Sequence, residues 1–112
     1  MDGKKFSINK AFSTIIERDK FYVNLILLSK GIRLSNTELL VLTTFFSSGY
    51  NKSTRDKIIE SKLVKNSGNL GNILLTLRKN KLLVKNDHSE QLCEELSVPL
   101  AKDINIINII IK

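Results

Sequence analysis

Hydrophobic positions fall at helical spacing in several separate stretches of this chain, divided by short polar breaks. The most regular stretch is 67–79, where Leu70, Ile73, Leu74 and Leu77 lie at i, i+3, i+4 and i+7 and make one apolar stripe. With a rotation of about 100° per residue, Asn69, Asn72, Thr76 and Lys79 share the opposite face, and Leu75 lies among them. This pattern predicts a helix buried on one side, polar and basic on the other.

The pattern also divides the rest of the chain. Residues 1–7 read as a loose basic arm, and Ala11, Phe12, Ile15 and Ile16 predict a short helix after it. The charged quartet Glu17-Arg18-Asp19-Lys20 predicts a break or an exposed turn, which separates an N-terminal arm and short helix (1–18) from the main domain (19–112). Phe21–Ser29 is almost wholly apolar and stops at Gly31, a residue suited to a helix C-terminus; a helix is preferred there, with a buried strand as the alternative.

Ser35-Asn36-Thr37-Glu38 matches the capping box, in which serine hydroxyl and glutamate carboxylate each accept from an otherwise unpaired backbone amide. The helix it opens, LLVLTTFF, is apolar around most of its circumference and is the expected central core helix, ended by Gly49. Ser53, with Asp56 after it, predicts the next start, and Ile58 and Ile59 its inner face. Leu63 and Val64 are expected to plug the following turn, and Asn66 or Ser67 to cap the 67–79 helix. Gly68 and Gly71 weaken that helix by roughly 1 kcal/mol each relative to alanine. Tight helix packing accounts for one of them, and close approach of a phosphate is open for the other.

Asn80 is the expected left-handed stop. Leu82-Leu83-Val84 predicts a strand, 85–89 a polar tip, and 92–98 a returning strand ended by Pro99. The tail Ile104–Ile111 is β-branched almost throughout and predicts a strand, which must pair within the sheet or add to another chain's edge. The fold class expected is therefore mainly α with a small β-sheet: four to five helices, a β-hairpin and a C-terminal strand.

Composition adds a partner class. The formal charge is +7 in 112 residues, which favours a polyanionic partner. Between Ser61 and Asn86 the chain carries Lys62, Lys65, Arg78, Lys79, Lys81 and Lys85 and no acidic residue. The acids gather afterwards at Glu90, Glu94 and Glu95.

Candidate chemistry is sparse. The single cysteine, Cys93, rules out an intrachain disulfide and reads as a small buried apolar residue. His88 stands alone at the tip, so no tetrahedral metal site is expected. Gly68 and Gly71 match neither common phosphate-binding glycine pattern. No cofactor, metal or enzymatic activity is expected. The N-terminus lacks an apolar signal core, and no apolar run approaches the roughly 20 residues that span a bilayer. A soluble protein of the cytoplasm is expected, or of the virion if the chain is phage-encoded.

The stretches LSNTELLVLTTFFSSG and NSGNLGNILLTLRKNKLLVK together resemble a winged helix-turn-helix domain, in the style of multiple-antibiotic-resistance-type regulators and small phage DNA-binding proteins. The resemblance covers roughly residues 36–98. It implies a sequence-specific DNA-binding protein, a small transcriptional regulator, in which Asn69, Asn72, Thr76 and Lys79 enter the major groove of double-stranded DNA. Lys62, Lys65, Arg78, Lys81 and Lys85 would then lie on phosphates. An acidic return strand and an isoleucine tail are departures from that pattern. They suit the alternative, a structural or assembly protein, such as a virion component, that uses the scaffold for protein contacts. The N-terminal helix and the 104–111 strand are the expected routes to a homodimer or larger assembly.

Overall fold

The computed structural model describes residues 6–11, 14–87, 89–100 and 106–111. A first strand, β1 (Phe6–Ala11), is followed by four helices, α1 (Ile15–Lys30), α2 (Asn36–Ser48), α3 (Lys52–Glu60) and α4 (Ser67–Lys79). A hairpin of β2 (Leu83–Asn86) and β3 (Ser89–Leu92) leads to a single 3₁₀ turn at Glu94–Leu96, and β4 (Ile106–Ile111) comes last. The class is mainly helical with small antiparallel β elements.

The expected break at 17–20 is absent. Thr14 caps α1 by accepting from the Glu17 amide at 3.2 Å, and the helix runs straight through the charged quartet. Arg18 and Asp19 are buried against α2, where the Ser47 hydroxyl donates to the Asp19 carboxylate. The quartet interrupts the apolar pattern but not the helix, since Glu, Arg and Lys are good helix formers and Arg18 pairs with Asp19, so the boundary placed at 18/19 falls inside α1. Of the short helix expected over Ala11, Phe12, Ile15 and Ile16, Ala11 lies in β1 and Ile15 and Ile16 open α1, while Phe12 lies outside the described residues.

Gly31 ends α1 as expected. At φ 69° and ψ 27° it lets the Ile32 amide reach the Leu27 carbonyl (2.9 Å) and its own amide the Leu28 carbonyl (3.1 Å), the paired bonds of a Schellman stop. The Ser35–Glu38 capping box forms in both directions, at 3.2 and 2.8 Å. From there α2 becomes the central core helix, burying Leu39, Val41, Leu42, Phe45 and Phe46. It runs antiparallel to α1, with Tyr22 stacked on Phe46 at 5.3 Å between ring centres.

Two helix ends differ from expectation. Asn51, not Ser53, caps α3, its side-chain oxygen accepting from the Thr54 amide at 2.9 Å. Asn80 stays right-handed at φ −89°, and Lys81 takes the left-handed stop at φ 59°. The reason lies in burial: Leu77 and Leu82 are both fully buried, and they occupy the two positions that a Schellman stop joins, with the Leu82 amide on the Leu77 carbonyl at 2.9 Å. A stop at Asn80 would put Thr76 and Lys81 at those positions instead.

The hairpin pairs Leu83 with Leu92, Val84 with Gln91, Lys85 with Glu90 and Asn86 with Ser89. Its return strand is thus earlier than the expected 92–98. The chain then folds back on α1, where Lys30 pairs with Glu95 at 2.9 Å. β4 pairs antiparallel with β1, in the register Phe6↔Ile111 through Ala11↔Ile106. The isoleucine strand therefore finds its partner in the N-terminal strand, in a ribbon separate from the hairpin; residues 104 and 105 of the expected strand lie outside the described residues.

Candidate nucleic-acid interface

The side of α4 opposite its buried leucines is uncovered. Leu70, Ile73, Leu74 and Leu77 anchor the helix inward, and Asn69, Asn72 and Lys79 are exposed. Thr76 is half-buried, its hydroxyl donating to the Asn72 carbonyl at 3.4 Å. Leu75 is 53 % exposed and lies near the middle of the same face, between Asn72 and Lys79. Neither glycine of the first turn serves helix packing: a Cβ at Gly71 would meet nothing within 4 Å, and one at Gly68 would meet only the capping oxygen of Asn66, at 3.3 Å.

The cations expected on phosphates surround this face unevenly. Lys62 sits in the turn between α3 and α4 and Lys65 just before the α4 cap; both are exposed. Lys81 is exposed where α4 hands over to the hairpin, and Lys85 is exposed on β2. Lys62 and Lys81 have φ of 62° and 59°, a left-handed conformation that glycine or asparagine adopts far more readily than lysine.

Arg78 departs from the expected role. Its guanidinium forks onto Glu90 of β3, through Nε to Oε2 and through Nη2 to Oε1 at 2.9 Å. The Tyr50 hydroxyl donates to the same Oε1 at 2.6 Å, and the Arg55 guanidinium lies 5.5 Å above the Tyr50 ring. Tyr50 in turn packs edge-on against Phe45, with centres 4.9 Å apart. One carboxylate thus ties the hairpin to α4 and to the loop between α2 and α3. The bond from Arg78 holds the Glu90 carboxyl below its usual range, with a smaller contribution from Tyr50. Burial first, and then the neighbouring Glu90, push the Tyr50 phenol up.

Arg78, Leu83, Lys85 and Glu90 line an open cleft of about 510 Å³ between the end of α4 and the hairpin. A second cavity, about 430 Å³, lies at the α1–α2 junction beside Ile15, Ser48, Pro99 and the Arg18–Asp19–Ser47 group. Arg18, Asp19 and Ser47 of that second site are bonded to one another.

Glu90, Tyr50 and Arg55 were not legible as a unit. Arg78 and Glu90 are 12 positions apart and Tyr50 and Glu90 are 40 apart, beyond any helical or strand repeat. One signal was available: opposite charges at Lys85 and Glu90, which the hairpin register sets directly across from each other. Cys93 is buried, as expected for a small apolar residue, and burial raises its thiol pKa above the usual range. His88 lies outside the described residues. Among the described residues, no three His, Cys, Asp or Glu side chains converge as metal ligands, and no helix is long and apolar enough to cross a membrane.

No protein-family model, curated protein or solved structure matches this chain.

Proposed function

We propose that this chain is a sequence-specific DNA-binding protein, a small transcriptional regulator built as a winged helix-turn-helix, with α3 and α4 as the helix pair and β2–β3 as the wing. The observation that carries the reading is the uncovered face of α4, where Asn69, Asn72 and Lys79 are exposed within a 61–86 segment that holds no acidic residue. Asparagine amides on an exposed helix match the paired acceptor and donor of adenine in the major groove, each good contact contributing about 1–3 kcal/mol of discrimination. Lys62, Lys65, Lys81 and Lys85 supply the sequence-independent attraction to phosphate. Each neutralised phosphate steepens the dependence of log K on log salt by about 0.9.

Titration of a short labelled duplex at several salt concentrations tests this reading. Lys79→Ala and Lys81→Ala should each weaken binding and flatten the salt slope. Asn72→Ala should weaken binding to a selected sequence and leave non-specific binding unchanged. A wild-type protein whose affinity does not change with salt removes the proposal.

A second reading is favoured by Leu75, a large apolar side chain in the middle of the face assigned to DNA. In a structural or assembly protein that face would dock on another protein. Concentration-dependent assembly by sedimentation, weakened by Leu75→Ala and accompanied by no mobility shift with DNA, would select it.

A further inference from the structure

We infer that Glu90 occupies, in the free protein, the position of a DNA phosphate between Arg78 and Lys85, and so sets how much of the wing's charge is available for binding. The inference rests on the DNA-binding reading of α4 and adds a phosphodiester site at the cleft beside it, together with its built-in competitor.

The geometry is specific. A carboxylate and a phosphate present the same pair of oxygens to a guanidinium fork, and Arg78 holds both oxygens of Glu90. Lys85 is the direct cross-strand partner of Glu90, so two cations flank one acid in the open cleft of about 510 Å³. The Arg78 side chain remains 42 % exposed, so a backbone phosphate can reach it without the helix moving. Tyr50 holds the competitor in place from behind, through the same oxygen that Arg78 Nη2 uses. A phosphate entering the cleft must displace the carboxylate from Arg78 or share it.

Glu90→Gln is the direct test. It keeps an acceptor oxygen for Tyr50 and Arg78 and removes the charge. The variant should bind a labelled mixed-sequence duplex roughly fivefold to tenfold more tightly at about 0.1 M salt, with a slope steeper by about 0.9, the effect of one added phosphate contact. In Arg78→Ala/Glu90→Gln the gain should vanish, because the fork that would take the phosphate is gone. Thermal melts of each variant establish that it is folded. A folded Glu90→Gln that binds no tighter than wild type overturns the inference and leaves the reading of α4 intact, provided wild type binds with its salt-dependent affinity. If neither protein binds the duplex in a salt-dependent way, the DNA reading fails and this site fails with it. Tighter binding by Glu90→Gln that persists without Arg78 would show a general charge effect and would also overturn the site.

Discussion

Arg18 and Asp19, adjacent in the chain, are both almost wholly buried, with the guanidinium placing Nε and Nη2 on one carboxylate oxygen at 3.0 and 2.8 Å. The other oxygen accepts from Ser47 of α2. A charged pair at a helix start would ordinarily face water; here it joins α1 to α2. Breaking such a pair from one side typically costs about 3–5 kcal/mol, whereas replacing both by apolar residues is often near neutral. Asp19→Ala should therefore lower the urea midpoint far more than Arg18→Met/Asp19→Leu. Equal losses in the two variants would mean that the pair contributes by packing alone.

Helix α3 has two capping candidates two residues apart, and only Asn51 makes the bond. Asn51→Ala should destabilise the protein by about 1 kcal/mol, or a melting shift of about 4–8 °C for a domain near this size. Ser53→Ala should move the melting temperature little. The reverse order would place the helix start at Ser53 in solution.

Lys81 separates stability from binding. Its left-handed backbone disfavours a side chain by about 1 kcal/mol, so Lys81→Gly should raise the melting temperature. The same change removes a cation expected on phosphate and should reduce DNA affinity and its salt slope. A variant that is both more stable and equally tight would show that the lysine is there for neither reason.

Acid should weaken the hairpin's attachment. The Glu90 carboxyl is held below its ordinary 4.5 by Arg78. Its stabilisation is therefore present above that ordinary value and is lost as pH falls through the lower value of the folded state. Because Arg78 and Glu90 are both partly exposed, the contribution is at most about 1 kcal/mol. Wild type should be slightly more stable than Glu90→Gln at neutral pH, and in thermal melts the difference should begin to shrink as pH falls below the ordinary 4.5 and vanish only beneath the lower folded-state value. A difference that persists unchanged into acid would exclude the ion pair as its source.

Residues within a turn or two of one another fix the local structure of this chain. The apolar stripe of α4, the Ser35–Glu38 box and the Gly31 stop each depend on residues no more than a few positions apart, and each forms as its spacing implies; of the two cap candidates for α4, Asn66 makes the bond. The α4 stripe also decides which side of that helix can stay wet. Tertiary structure decided what requires a partner from elsewhere. Arg18 and Asp19 are a buried pair because Ser47 and α2 lie beside them. Lys81 rather than Asn80 turns left-handed because two leucines must both enter the core. The tail strand is paired because the opposite end of the chain meets it residue for residue. Glu90 is an isolated surface acid in the sequence, and folding brings Arg78 and Tyr50 to it. Local signals settle which face of a helix is apolar and where a capping box or a glycine stop falls, since those free energies arise within one turn. Pairing of charges and strand edges depends on distances that the chain sets only once its core has closed.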